Sequence, residues 1–219
     1  MTEQTIPKRC RLVLIAPPST DTDALVSQIR SAVAGGDVAS LIIPQYDMDE
    51  VFFQRHAEAL TPIAQDAGAA VILSGETRIA ARVGADGVHI EGSREVLDDA
   101  IDRLQDKMAV GAGGAKTRDD ALILGEARPD YIFFGRFGYD TKPEPHPRNL
   151  TLGRWWAEMI EIPCIVMGGS DIESVRAVAE TGAEFVALSQ AIFNAVDPGE
   201  AVAKANAALD EQARQGAAT

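Results

Sequence analysis

Paired glycines at the end of a short apolar run are the clearest chemical signal in the sequence. The segment Val166–Ser170 ends its apolar run in Gly168 and Gly169. Glycines in such a turn let backbone N–H groups approach an anion closely, and the start of a helix attracts negative charge. Ser170 and Glu173 have capping-box spacing, which predicts a helix that begins at this point. The segment predicts a phosphate site, or else only a tight turn between a strand and a helix.

A second turn with the same chemistry follows the last apolar run. Ser189 and Gln190 precede Ala191-Ile192-Phe193, where the next helix is expected to begin. In α/β barrels, phosphate often binds between the loops after the seventh and eighth strands. We therefore expect Ser189 and Gln190 to complete one site with Gly168 and Gly169.

Cations and a hydroxyl group lie in the long polar segment Gly135–Asn149. Arg136 comes directly after an apolar run, and Thr141-Lys142 lies further along the same segment, before Arg148. Arginine and lysine both bind phosphate oxygens, arginine with a planar pair of donors. These side chains either contact a phosphorylated ligand or are simply solvated. The segment is expected to cover the site as a loop or lid.

Eight short, mostly apolar runs alternate with helix-like segments, and this alternation predicts the fold. It indicates parallel strands joined by helical crossovers, and eight units predict an α/β fold of the (β/α)₈ TIM-barrel type. The competing open sheet usually has Gly-x-Gly-x-x-Gly after its first strand, where this chain has Ala16-Pro17-Pro18-Ser19. The expected strands are 12–16, 39–43, 70–73, 87–90, 108–111, 131–134, 164–167 and 185–188.

No linker divides the chain, so we expect a single domain over residues 1–219, with flexible termini at 1–10 and 210–219. The formal net charge of −13 opposes binding to nucleic acid or anionic lipid, and no long apolar run predicts a membrane span. The expected partner is a phosphorylated small molecule, while association with further copies of the chain stays open. Two isolated cysteines, Cys10 and Cys164, are typical of a reducing cytoplasm.

Histidines and cysteines predict neither a metal cluster nor a nucleophile. His89 falls near the end of the fourth expected strand, where it would serve as a base or form a structural hydrogen bond; we favour the structural role. His56 and His146 have no spacing that forms a metal site with it, and neither cysteine has a histidine nearby in sequence.

Several segments together resemble the thiamine phosphate synthases and their TenI-like relatives, in matching order. The resemblance covers most of the chain from the third strand onward and rests on Gly84–Ile90, Asp130–Ile132, Thr141-Lys142, Gly168-Gly169 and Ala187–Ser189. It implies condensation of a hydroxymethylpyrimidine diphosphate with a thiazole phosphate, with magnesium carrying the departing pyrophosphate. It also implies that Gly169 holds the thiazole phosphate, that Ser189 and Gln190 complete that site, and that Thr141 and Lys142 face the diphosphate.

The departures from the family pattern fall on catalytic positions. Ser74-Gly75 replaces Asn-Asp after the third strand, and Glu91-Gly92-Ser93-Arg94 replaces Gly-Gln-(Glu/Ser)-Asp after the fourth. Pro44–Asp47 replaces Gln-x-Arg-x-Lys, Gly114–Lys116 replaces Ser-x-His, and Arg136 stands where TenI-like isomerases have histidine. Both carboxylates expected to bind magnesium are therefore missing.

Glu76 and Glu91 are the nearest replacements for these ligands, and Arg94 or Lys116 would partly replace the charge of the metal. Two hypotheses follow. The chain is a synthase of thiamine phosphate with a rearranged metal site or a narrowed reaction, or a paralogue that binds a phosphorylated thiazole or similar metabolite as a sensor, carrier or enzyme of other chemistry. Dependence on magnesium separates the two hypotheses, because phosphate binding alone needs only backbone amides.

Overall fold

Eight parallel strands close into a barrel in the computed structural model, which describes residues 9–216. Each strand pairs with its neighbours in sequence, and β8 pairs with β1 through Leu12↔Val186 and Val13↔Ala187. The barrel predicted from the alternating pattern is confirmed, with strand ends that differ by at most two residues from those expected. The strands are β1 Arg11–Ile15, β2 Ser40–Pro44, β3 Ala70–Ser74, β4 Gly87–Glu91, β5 Ala109–Gly113, β6 Tyr131–Phe134, β7 Cys164–Met167 and β8 Phe185–Leu188.

Helices follow the strands and cover the outside of the barrel with their apolar faces. Parallel neighbours need such crossovers, because a tight hairpin cannot join them. No helix within residues 9–216 is long and apolar enough to cross a membrane. The helices are α1 Thr22–Ala34, α2 Glu50–Asp66, α3 Thr77–Val83, α4 Arg94–Leu104, α5 Arg118–Gly125, α6 Pro147–Met159, α7 Ser174–Ala179, α8 Gln190–Phe193 and α9 Pro198–Gly216.

The two ends of the described chain lie against each other. Arg9 donates hydrogen bonds to Asp210 at 2.5 Å and to the side chain of Asn206 at 2.7 Å. The helix α9 continues to Gly216, so residues 210–216 form its end, while the flexibility expected for both ends of the chain stays a prediction. Residues 1–8 and 217–219 of those segments lie outside the described residues.

Large and small side chains complement each other inside the barrel. Tyr131 and Phe133 of β6 project inward, where they pack with aliphatic side chains from β1, β2, β3 and β7. The neighbouring strand β5 carries glycine instead, and a Cβ atom at Gly111 would lie 1.9 Å from Cζ of Tyr131. A Cβ atom at Gly113 would likewise lie 2.6 Å from Nε2 of His89. The glycines of β5 therefore make room for the rings that fill the barrel.

We predict that Gly111→Ala lowers the free energy of unfolding by roughly 1–3 kcal/mol, because the added methyl group forces the Tyr131 ring out of its position. Gly92→Ala is the matched control, since its Cβ atom would meet only Val96 side-chain atoms at 3.6 Å or more. Urea unfolding of both variants measures the difference. Equal stability of the two variants would show that the packing of Tyr131 does not need glycine at position 111.

Candidate functional site

The segment between β6 and α6 folds across the C-terminal end of the barrel. We call residues 135–146 the β6 strap. The irregular segment was expected to reach Asn149, but α6 already begins at Pro147. His146 caps this helix by accepting a hydrogen bond from the backbone N–H of Arg148, and proline is favoured in the first turn of a helix because its missing N–H has no partner there.

The strap binds the turn after β7 through its backbone. The N–H of Ser170 donates to the carbonyl of Lys142 at 2.7 Å, and the N–H of Asp171 donates to the carbonyl of Pro143 at 3.3 Å. A Cβ atom at Gly169 would lie 2.0 Å from the carbonyl oxygen of Pro143. A close backbone approach thus does require glycine at this position, as expected, but the backbone that approaches is that of the strap.

The predicted capping box at Ser170 and Glu173 is wrong. The helix α7 begins four residues later than Ser170, at Ser174, and no side-chain hydrogen bond caps it. The N–H of Ser170 is bonded to the strap, and the hydroxyl group of Ser174 accepts a hydrogen bond from the N–H of Gly169 at 3.0 Å. The local side-chain acceptor is Asp171 instead of Ser170, because its Oδ1 atom accepts a hydrogen bond from the N–H of Glu173 at 3.0 Å.

The turn after β8 binds the strap through a buried carboxylate. The N–H of Gln190 donates to Oδ2 of Asp140 at 2.7 Å, and Asp140 is only 3% exposed. Ser189 is buried beside it, and its carbonyl accepts hydrogen bonds from the first turn of α8. The N–H of Gly168 donates to the carbonyl of Ala187, which places the two turns side by side as expected. Sequence reasoning missed Asp140, whose only signal is that it directly precedes Thr141-Lys142.

A cavity of about 510 Å³ lies between the strap and the end of β7. It is lined by residues that the sequence analysis singled out, namely Arg136, Thr141, Lys142, Arg148 and Gly168. The guanidinium group of Arg136 lies over the ring of Tyr139 at 3.9 Å. Gly169, Ser189 and Gln190 do not line this cavity and instead lie under the strap. The cavity therefore combines three cations and a hydroxyl group, which suit phosphate oxygens, with the carboxylates of Asp140 and Glu144.

A second cavity, of about 460 Å³, lies at the ends of β2, β3 and β4. Ser74, Gly75, Glu76, His89 and Glu91 line it, together with Gln45 and Tyr46. Burial raises the pKa of Glu91, and the nearby charge of Arg136 opposes that rise. Electrostatic coupling between Glu91 and Arg136 thus connects this cavity with the cationic one.

Comparisons with known proteins identify the family of this chain. A family model described as thiamine monophosphate synthase matches residues 12–192. The chain belongs to the thiamine monophosphate synthase family. It is 35% identical to the thiamine-phosphate synthase of Rhodospirillum centenum, with 90% of this chain and 96% of that protein covered. It is 33% identical to the thiamine-phosphate synthase of Bordetella bronchiseptica, with 89% and 92% covered.

Solved structures share the fold of this family member. Thiamine phosphate pyrophosphorylase from Pyrococcus furiosus superposes with a TM-score of 0.76 at 20% identity, covering 94% of this chain and 98% of that one. A geranylgeranylglyceryl phosphate synthase from Thermoplasma acidophilum, in complex with sn-glycerol-1-phosphate, superposes with a TM-score of 0.67 at 16% identity, covering 93% and 94%. At these identities the likeness establishes the barrel fold.

The second cavity does not offer this family member a magnesium site. The Glu76 carboxylate lies 3.5 Å from Nε of Arg78, and the charge of Arg136 acts on Glu91 without an ion pair between the two. Within residues 9–216, no group of three or more histidine, cysteine, aspartate or glutamate side chains is arranged to hold a metal ion. Magnesium takes a near-octahedral set of oxygens, usually with one or two carboxylates. Glu76 is already paired with Arg78, and with Glu91 it forms no such cluster, so these residues fit that role poorly.

The position of Gly75 is also closed to a simple replacement by aspartate. A Cβ atom there would lie 2.5 Å from Oε1 and 2.8 Å from Cβ of Gln45. Arg94 does not supply charge at the mouth, since Asp98 at 2.8 Å and Glu126 at 3.2 Å hold it on the surface of α4 and α5. Lys116 is exposed, and its backbone N–H donates to Asp120. Gln45 therefore fills the space beside Gly75, and neither Arg94 nor Lys116 brings charge into the second cavity.

His89 is buried among aromatic rings below the second cavity. A hydrogen bond of 3.0 Å joins its Nδ1 atom to the hydroxyl group of Tyr131, while Nε2 has no partner and lies 3.9 Å from Glu91. Burial lowers the pKa of His89 to about 3, so the imidazole stays neutral at physiological pH. These contacts agree with the structural role expected from the sequence.

We predict that the free energy of unfolding falls less steeply with decreasing pH in His89→Gln than in the unmodified protein. His89 takes up a proton on unfolding, so its contribution is complete above pH 6.5 and is lost as the pH falls toward about 3. The free energy of unfolding should then fall less steeply in the variant, by up to ~1.4 kcal/mol per pH unit. Urea unfolding between about pH 7 and pH 5 measures this slope.

The control is His146→Asn, which alters an exposed histidine and keeps a residue suited to a helix N-cap. Its slope should equal that of the unmodified protein. A slope for His89→Gln that also equals that of the unmodified protein would show that His89 does not stay neutral in the fold.

Proposed function

We propose that this barrel binds the phosphorylated substrates of thiamine phosphate synthesis at its mouth, and that it forms thiamine phosphate far more slowly than an ordinary synthase. The cationic cavity lined by Arg136, Lys142 and Arg148 carries this proposal. Family membership and the names of relatives matched over nearly their whole length support the substrate class. The cavity supports it independently, because its three cationic side chains outnumber its two carboxylates, Asp140 and Glu144, in a chain whose net charge is −13.

The residues divide into two groups in this proposal. Lys142 and Arg136, with the hydroxyl group of Thr141, contact the diphosphate of the pyrimidine substrate. The backbone of Gly168, Gly169 and Ser170 with Ser189 and Gln190 holds the phosphate of the thiazole. Glycines at the end of β7 favour this second role, because the backbone there carries no side chain and the N–H of Ser170 already donates to a carbonyl oxygen of the strap.

We expect the condensation to be slow because the second cavity offers few ligands for a magnesium ion. Condensation releases pyrophosphate, whose growing charge must be neutralised in the transition state. Arginine and lysine neutralise part of this charge but do not bridge two phosphates as compactly as a metal ion. Loss of several kcal/mol of such stabilisation corresponds to a rate roughly a thousandfold or more below that of a synthase.

A paralogue that binds a phosphorylated thiazole without condensation is the second candidate. The guanidinium groups beside Glu76 and Glu91 favour it, since they occupy the surroundings in which a metal would sit. In this case the chain acts as a sensor, carrier or enzyme of other chemistry on the same ligand. We further propose a cytoplasmic location, which is supported by Cys10 and Cys164, neither of which forms a disulfide bond.

Incubation with both substrates decides between these candidates. We predict thiamine phosphate formation that is absent, or at least roughly a thousandfold slower than that of a synthase relative assayed in parallel, with or without magnesium. Chromatography of the product measures the rate. Magnesium-dependent turnover at the rate of the relative would contradict the proposal, and Glu76→Gln and Glu91→Gln would then test the replacement ligands.

Binding is tested separately with inorganic pyrophosphate. We predict that Lys142→Ala and Arg136→Ala each weaken pyrophosphate binding by roughly tenfold or more, because each removes a charged donor from the cavity. Arg154→Ala is the control, since Arg154 is exposed on α6 outside this cavity. Calorimetry measures the three affinities. Equal affinities in all three variants would place the diphosphate elsewhere.

A further inference from the structure

Asp140 is buried with only part of its hydrogen-bonding capacity used. Its Oδ2 atom accepts a hydrogen bond from the N–H of Gln190 at 2.7 Å, whereas Oδ1 is buried with no partner. A carboxylate that is 3% exposed and lacks a cationic partner is costly to bury, because it gives up the hydration of a full charge. The rest of the strap must offset this cost.

The strap does so by occupying the turns after β7 and β8. The carbonyls of Lys142 and Pro143 accept from the N–H groups of Ser170 and Asp171, and Asp140 accepts from Gln190. These are backbone donors of the two turns assigned above to the thiazole phosphate. In the described chain, therefore, one carboxylate and two carbonyls of the strap stand where oxygens of a ligand phosphate are expected.

We propose that Asp140 is an internal anion that takes the place of the ligand phosphate in the free protein and so determines the affinity of the turns for phosphorylated ligands. This inference rests on the proposed function. Two anions cannot share the N–H of Gln190 without strong repulsion, so phosphate binds only as Asp140 leaves. The released carboxylate regains its hydration. Thr141 and Lys142 move with it, because they directly follow Asp140 within the strap.

Two substitutions test the role of the charge. Asp140→Asn keeps the shape and an oxygen that accepts from Gln190 but removes the charge, while Asp140→Ser removes the carboxylate altogether. Asp106→Asn is the matched control, because it makes the same charge change at an exposed turn between α4 and β5, at the opposite end of the barrel. We expect inorganic phosphate to bind both Asp140 variants on the order of tenfold or more tightly than the control, by calorimetry.

Hydrogen exchange tests the displacement itself. In the unmodified protein, saturating phosphate should speed the exchange of Tyr139, whose N–H donates to the carbonyl of Arg136 within the strap, while Gln190 stays protected by its new partner. Phosphate affinities of both Asp140 variants within twofold of the control would overturn the inference. So would strap exchange that phosphate does not change, or a lack of phosphate binding by every variant.

The two proposals fail in different ways. Pyrophosphate binding that depends on Lys142 and Arg136, with no gain in phosphate affinity in the Asp140 variants, supports the proposed ligand class but overturns the internal anion. Tighter phosphate binding in the Asp140 variants, with no response of pyrophosphate binding to Lys142→Ala or Arg136→Ala, supports the internal anion while it contradicts the assigned diphosphate cavity.

Discussion

Backbone N–H groups at the ends of β7 and β8 need acceptors, and this requirement organises the mouth of the barrel. A parallel strand that ends at a turn leaves amides without a ladder partner, and buried amides without partners are rare in folded proteins. Here the β6 strap and the hydroxyl group of Ser174 provide acceptors for Gly169, Ser170, Asp171 and Gln190. The path of the strap, the glycine at position 169 and the burial of Asp140 all follow from this arrangement.

The interior of the barrel supports the mouth from below. Tyr131 and Phe133 fill the space that the glycines of β5 leave open, and His89 packs against both rings. Phe137, at the start of the strap, also packs on His89 and Phe133. The first residues of the strap are therefore anchored on the barrel core, so that movement at Asp140 need not disturb the fold.

The fold was predictable because strand positions are set by local pattern. Eight apolar runs separated by helix-like segments define a parallel barrel whatever the loops contain, and the runs matched the strands closely. Gly168 and Ser189 were placed at one mouth for the same reason, since the ends of neighbouring parallel strands meet. The gathering of Arg136, Thr141 and Lys142 around one cavity also followed from their common loop.

Contacts between loops were not predictable in the same way. The capping box at Ser170 failed because its N–H bonds to Lys142, a residue 28 positions earlier in the chain. The role of Asp140 depends on Gln190, 50 positions away, and no local pattern reports such a pairing. The ordered end of α9 likewise depends on Arg9 at the other end of the chain. Long-range hydrogen bonds decided each of these points.

Pairing of β1 with β8 has a consequence for how the chain reaches this fold. Until those two strands meet, the growing sheet has two open edges, and open edges pair readily with other chains. Their contact joins Arg11 to Phe185, so closure comes with a large loss of chain entropy and forms a highly non-local contact. Arg11 also holds Asp37 in an ion pair at 2.6 Å. The first strand thus carries a charged side chain, which is one of the features that disfavour pairing of sheet edges between chains.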